Sequence, residues 1–325
     1  MLVPRGVDTI VKAAVGVAAS DAPNNSLING HSSMIELLLV ILILIPVITT
    51  DGAESFLRAF SDPKDVELKT SSCATKAQSC EPPDIDLMAE QGFLQSKDGE
   101  DRCLIEHYFP GICVGTYLDV GAFDGIQNSN TYALHKVMGW RGVNVEIDLD
   151  NFEKLARNRR DDIANVHAAV CSDRHVVHYA IAKENKDTGG IWEFADDNNN
   201  HRGKWWKDTE LYHTIPMKCT PLKTVLDRTV GTAKFHFDLA TIDLKGVGEL
   251  SALLGIDFDI ITFGVIIVQK SNNGDVNQKV YDLLHAEGYT DSRIANCGGS
   301  YWFVHREFQQ IYQKLVWGDR EDNNG

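Results

Sequence analysis

Several common chemistries are missing from this 325-residue chain. Its seven cysteines, at 73, 80, 103, 113, 171, 219 and 297, include no C-x-x-C pair. That removes zinc knuckles and thioredoxin-like redox centres. There is no P-loop, no Ser-His-Asp arrangement and no internal repeat. Histidines are plentiful but form no metal-ligand constellation. His236-Phe237-Asp238 would put two ligands on one strand face with nothing to join them, so no metal is expected. Positive charge is scarce: 31 Lys and Arg face 46 Asp and Glu, for a net charge of −15. Such a surface repels phosphate backbones and excludes nucleic acid as the expected partner. The one N-x-S/T sequon, at Asn24, precedes the main apolar run.

That run is the first feature with a message. Residues 1–33 are rich in Ala, Ser and Asn and offer little core. Residues 34–50 then read MIELLLVILILIPVITT, uncharged from Leu37 to Thr50. Those 14 residues fall short of the ~20 that a comfortable membrane span needs, and extending back to Met34 brings in Glu36. A short signal anchor, a signal peptide cleaved near Val47–Thr50 and a buried core segment all compete. Nothing globular surrounds the run, which favours membrane association through 34–50 in the secretory pathway, or secretion after cleavage. Residues 51–95 lack periodicity and read as a linker or stem. In an oxidising lumen, Cys73–Cys80 and Cys103–Cys113 are near enough in sequence to be disulfide candidates; scattered free thiols are the alternative.

From residue 96 strand and helix patterns alternate, which predicts an α/β doubly wound, Rossmann-like sheet over 96–310, with helices on both faces. A C-terminal helix and acidic tail follow over 311–325. Strands are expected at 116–120, 142–146, 166–170, 176–181, 235–242, 260–268 and 301–304. Ser129 or Asn130 can cap the helix that stops at Gly139. The stretch 184–213, with Asn198 to Asn200 and Trp205-Trp206, reads as irregular. The tryptophans, flanked by Lys204 and Lys207, suit either a lid loop or a stacking surface for a sugar.

The segment Thr116–Glu146 organises the rest. A strand ends at Asp119-Val120-Gly121, a small-residue loop passes Asp124-Gly125, a helix follows, and a second strand ends on Glu146. Gly121, Ala122 and Gly125 would let backbone approach a ligand at the first strand's carboxyl end. Glu146 could accept hydrogen bonds from both hydroxyls of a ribose. The loop is not the dinucleotide G-x-G-x-x-G, and acids at Asp119 and Asp124 would repel a pyrophosphate. A cationic nucleoside without phosphate, S-adenosylmethionine, suits these residues better.

The run YLDVGAFDGIQNSNTYALHKVMGWRGVNVE, with VHAAVCSD downstream, resembles the FkbM-type S-adenosylmethionine-dependent methyltransferases. The GAFDG loop, the SNT segment and GWRG before the second strand carry the likeness. It implies that Asp119, Gly121 and Asp124 sit by the methionine end and its loop, Glu146 by the ribose, and Ala169, Cys171 and Asp173 near the adenine. Asn128, Ser129, Asn130, Trp140 and Arg141 match as well, with capping and packing as their simpler roles. The likeness implies methyl transfer to a hydroxyl of a glycan or other small molecule, with Asp243 as the candidate base. Where the family has two further acids, this chain has Lys245 and Gln269. Those departures leave open a catalytically impaired, membrane-anchored relative with a trafficking or scaffolding role.

Overall fold

The computed structural model describes residues 75–173, 175–182, 189–194, 212–244, 248–292 and 298–317. All lie in one compact unit, Thr70–Gly325. The apolar run 34–50, Cys73, the Trp205-Trp206 pair, Lys245 and Cys297 fall outside the described residues.

In chain order the strands are β1 (Gln78–Ser79), β2 (Ile112–Cys113), β3 (Thr116–Val120), β4 (Arg141–Glu146), β5 (Ala164–His167), β6 (Ala169–Val170), β7 (Val176–Ala182), β8 (Gly189–Ile191), β9 (Tyr212–Thr220), β10 (Phe235–Ile242), β11 (Ile261–Val268), β12 (Tyr289–Asp291) and β13 (Tyr301–His305). The helices are α1 (Ile85–Glu90), α2 (Glu100–Cys103), α3 (Tyr132–Val137), α4 (Leu149–Asn158), α5 (Leu222–Thr229), α6 (Gly248–Leu254), α7 (Gly274–Ala286) and α8 (Phe308–Trp317).

A seven-stranded sheet in the order β12-β13-β11-β10-β3-β4-β5 forms the frame. Strands β11, β10, β3, β4 and β5 pair in parallel, while β13 runs antiparallel to β11 and β12. The sheet is therefore mixed at one edge. Its central strands are nearly continuous apolar runs because helices cover both faces. Val120, Val145, Ile242 and Val268 join α5, α6 and α7 in one core. Tyr117, Leu239, Val265 and Ile267 join α3 and α8 in another. Each fully buried aliphatic side chain contributes about 1.5–3 kcal/mol of transfer free energy.

Three expectations need correcting. The single strand expected at 166–170 is two. Ala164–His167 finishes the main sheet, and Ala169–Val170 pairs with β9 in a second, four-stranded sheet, β6-β9-β7-β8. Strand β9, nine residues long, lies where no strand was expected. Its pattern, buried only at Tyr212 and Cys219, gives no period-2 signal. The described part of the supposed linker, 75–95, carries β1 and α1: β1 pairs with β2, and Ala77 and Met88 are buried.

The disulfide expectations also change. Cys80 bonds to Cys113 and Cys171 to Cys219, so neither Cys73–Cys80 nor Cys103–Cys113 forms. Cys103 is disulfide-bonded too, so all five described cysteines are oxidised. Nearness in sequence misled here, because β1–β2 pairing sets Gln78 opposite Cys113 and so brings Cys80 to Cys113 across 33 residues.

Candidate cofactor site

A cavity of about 250 Å3 opens at the carboxyl ends of β3, β4 and β10. Open parallel sheets place ligands there, beside the point where strand order reverses. Asp119, Gly121, Ala122, Glu146 and Asp243 all line it. Asp124, Gly125 and Asp173 do not.

Glu146 is 6% exposed and ends β4. Its Oε2 accepts the Phe123 N–H at 2.8 Å and its Oε1 accepts the Asp148 N–H at 2.8 Å. A carboxylate has about four acceptor positions, so these two bonds do not use all of them, and Glu146 is among the residues lining the cavity. Burial is the main influence on its acidity and raises the pKa to about 7, partly opposed by the backbone N–H groups of Asp148, Phe123 and Ile147. Glu146 therefore shapes the loop as well as facing the ligand. Phe123 adopts φ +52 to deliver its N–H, a left-handed conformation that costs a non-glycine residue about 1–2 kcal/mol.

The loop glycines serve the fold more than the ligand. Gly121 has φ +89, and a Cβ there would lie 2.1 Å from the Asp243 carbonyl oxygen. It allows the turn after β3 to pass against the end of β10, whose Asp243 N–H bonds to the Val120 carbonyl at 2.9 Å. Gly125 has φ +80 and would strike the side chains of Arg159 and Leu155. Asp124 accepts the N–H groups of Ile126 and Gln127 in a side-chain turn. That use of its carboxylate, rather than contact with a ligand, explains its place in the loop.

Asp119 is 4% exposed and receives the Thr131 hydroxyl at 2.7 Å. Burial raises its pKa to about 6, with Thr131 and the nearby Arg159 opposing. Ser129 and Asn130 also line the cavity, and neither caps α3. Ser129 accepts from Arg159 at 2.9 Å, while the Asn130 amide donates to Thr241 Oγ1 at 3.3 Å. Trp140 is fully buried, and its indole N–H donates to the Ile112 carbonyl. Arg141 donates to two nearby carbonyls, so packing is the role of both.

The β6 side of the cavity also differs from expectation. Ala168 and Val170 line it, whereas Ala169 and Cys171 are buried against Val177 and Cys219. Alternation along the chain turns those two away. Asp173 is exposed beyond the strand end.

Sequence reasoning missed the residue that holds the loop together. Arg159, at the end of α4, is fully buried. It donates to the Gly125 carbonyl (2.7 Å), the Tyr117 hydroxyl (2.6 Å), Ser129 Oγ (2.9 Å) and Thr131 Oγ1 (3.1 Å). Asp162 lies 3.8 Å away and also accepts from Tyr117, Asn144 and the Gly142 N–H. Burial pushes its carboxyl up, but His135, 3.2 Å away, together with Tyr117 and Asn144 holds it below the usual range. The first Arg of Arg159-Arg160 gave no signal, because its partners are 28 to 42 residues away.

The residues suit a nucleoside sulfonium. Open acceptor positions on Glu146 match a ribose, Ala168 and Val170 give an apolar flank, and Asp119 and Asp243 are acidic where a cation would lie. The volume is close to the low end of small-molecule pockets, about 300 Å3. The sheet and the cavity define an α/β protein of the class I methyltransferase type. The family model for the methyltransferase FkbM domain matches residues 119–290, just over half of the chain, and the chain belongs to that family. Its cofactor is S-adenosylmethionine.

No curated relative matches the chain. Among solved structures, an FkbM methyltransferase from Methylobacillus flagellatus is 14% identical, over 59% of this chain and 43% of that one, with TM-score 0.33. A TehB-like methyltransferase from Corynebacterium glutamicum is 12% identical, over 68% and 92%, with TM-score 0.33. Aeropyrum pernix fibrillarin, bound to S-adenosyl-L-methionine, is 10% identical, over 66% and 76%, with TM-score 0.36. These likenesses are too loose to add to the family assignment.

Proposed function

We propose that this methyltransferase transfers its methyl group to a hydroxyl of a glycan or other hydroxylated small molecule, with Asp243 as the base. The supporting observation is that Glu146 and Asp243 line one cavity from the strand ends on either side of β3, so a ribose acceptor and an acid on the acceptor side share it. Bound S-adenosylmethionine supplies an electrophilic methyl group. Asp119, Ser129 and Asn130 border the region beside Asp243, Glu146 would hold the ribose, and Asp243, which is exposed, would take the acceptor proton as the acceptor oxygen bonds to the methyl carbon and the carbon–sulfur bond breaks to leave S-adenosylhomocysteine. Positioning supplies much of the remaining rate.

The test is methyl transfer from labelled S-adenosylmethionine to hydroxylated acceptors, comparing wild type with Asp243→Asn. A base of this kind contributes about 10²–10⁴-fold. Loss of that order, with cofactor affinity kept, supports the assignment; full activity in the variant overturns it. One observation favours the second reading, of an impaired anchored relative. Gln269, whose backbone N–H bonds to the Ile242 carbonyl at the end of β10, is exposed where a second acid was expected. Binding without turnover, unchanged by Gln269→Glu, would support that reading.

The location proposed is the lumen of the secretory pathway, tethered through residues 34–50. The support is that all five described cysteines are oxidised, and cytosolic reductants keep such bonds rare. Among the described residues no helix is long and apolar enough to cross a membrane. Alkaline extraction of membranes tests the tether: release of the intact chain excludes a span.

A further inference from the structure

One wall of the cavity comes from the second sheet. Val170 of β6, Tyr179 of β7, and Gly189, Gly190 and Ile191 of β8 line it, and Tyr179 alone of these brings a polar side chain. It is 5% exposed, and its hydroxyl donates to Asp148 Oδ2 at 3.2 Å. Asp148 in turn donates its N–H to Glu146 Oε1 and caps α4 by accepting the N–H of Asn151, another lining residue. The phenol thus ends a chain of contacts that starts at Glu146. Burial, with the Asp148 and Glu146 charges adding to it, pushes the phenol's pKa well up, so its proton stays on the bond to Asp148. The phenolic oxygen can still accept, and among the described residues none donates to it. Two features hold the ring in place. Gly189 lies against it, since a Cβ there would come within 2.3 Å of the Tyr179 hydroxyl. His178, the preceding residue, donates its backbone N–H to Glu193 Oε2 at 2.9 Å, and its Nδ1 lies 2.7 Å from Glu193 Oε1, which pins β7 to the turn after β8. A group fixed this way meets a ligand at little ordering cost.

We infer that Tyr179 is a cofactor-binding residue, whose hydroxyl oxygen accepts from one ribose hydroxyl while Glu146 accepts from the other. A ribose offers two hydroxyl donors. Two neighbouring acceptors suit them better than one carboxylate that already carries two backbone bonds. The inference concerns the cofactor alone and does not depend on the methyl acceptor or on Asp243.

The test is calorimetric titration of the full chain at pH 8.5, where Glu146 is ionised, with S-adenosylhomocysteine and with its 2′-deoxy and 3′-deoxy analogues. Tyr179→Phe keeps the ring and its packing, and is expected to weaken S-adenosylhomocysteine about three- to tenfold. Toward the analogue that lacks the contacted hydroxyl, the same substitution is expected to change nothing further, while the other analogue weakens as the parent does. A purely structural role would weaken all three ligands alike. Unchanged affinity in Tyr179→Phe, or equal weakening toward all three, overturns the inference. Failure of S-adenosylhomocysteine to bind the wild type would instead overturn the cofactor site.

Discussion

The sharpest consequence of the site concerns the protonation of Glu146. With its pKa raised to about 7 by burial, the carboxyl is about half protonated at neutral pH in the cofactor-free protein. Ribose hydroxyls are donors and need the ionised form as acceptor. Cofactor affinity should therefore rise with pH through 7 and level off above it. Below 7 it should fall by up to tenfold per pH unit, until the lowered pKa of the complex is reached. Hydrogen bonds to a charged group are each worth about 1.5–3 kcal/mol, which is about 10- to 150-fold in affinity. Glu146→Gln should weaken binding by that order and remove the step near pH 7. Asp119, raised to about 6, would account for a residual step at lower pH. Calorimetry of S-adenosylmethionine binding between pH 5.5 and 8.5 reads both effects, and subtracting the variant's profile removes the ligand's own titration. A flat wild-type profile, or the same step in Glu146→Gln, would refute the reasoning.

Stability of the cofactor-free protein should move the opposite way. An acid whose folded pKa lies above its unfolded value binds more protons when folded, so stability falls as pH rises between the two. For Glu146 that window runs from 4.5 to about 7, and the penalty is fully present above it. At 1.36 kcal/mol per unit this is about 3 kcal/mol. The same carboxylate that costs stability in the empty fold gains acceptor partners from the cofactor.

Three further outcomes follow from named contacts. Arg159→Met should cost about 3–5 kcal/mol in urea unfolding, because Asp162 loses its buried cation and four oxygens lose a donor. Cofactor affinity should weaken with it as the Gly125–Ser129 loop loosens; unchanged stability would remove Arg159 as the hub. The double variant Cys80→Ala/Cys113→Ala opens a link across 33 residues and should lose about 3–4 kcal/mol, read by the same assay without reductant. Gly121→Ala places a methyl on the Asp243 carbonyl at φ +89, so a thermal midpoint near wild type would contradict the described turn.

How much of this was legible depends on the distance between partners. The strands of the main sheet were readable because each is a short apolar run bounded by turns, and β10 at Phe235–Ile242 matched its expected limits. The strand-ending acids Asp119, Glu146 and Asp243 were readable for the same reason: parallel strands that start at one edge end together at the other. What failed was whatever depended on a partner far along the chain. Strand β9 takes its identity from β7, and Cys171 from Cys219, 48 residues on. His236 and Asp238 looked unconnected, yet Tyr312 donates to Asp238 at 2.6 Å and lies 3.0 Å from His236 Nε2. Asp238 also takes the Thr116 N–H at 2.7 Å and the Thr75 hydroxyl, which ties α8 and the segment before β1 to the sheet's amino edge.

That division also separates the two roles of the opening loop. Its residue types were read as ligand contacts, but the contacts of Gly121, Asp124 and Gly125 are to the protein itself. Each holds a turn closed against β10, the following turn or α4. A loop fastened on three sides can keep Phe123 at positive φ, and only then does its N–H reach Glu146. The small residues thus act on the cofactor at one remove, by fixing the carboxylate that faces it. Substitutions in the loop should consequently lower stability and cofactor affinity together, whereas Asp243→Asn should lower turnover while sparing both.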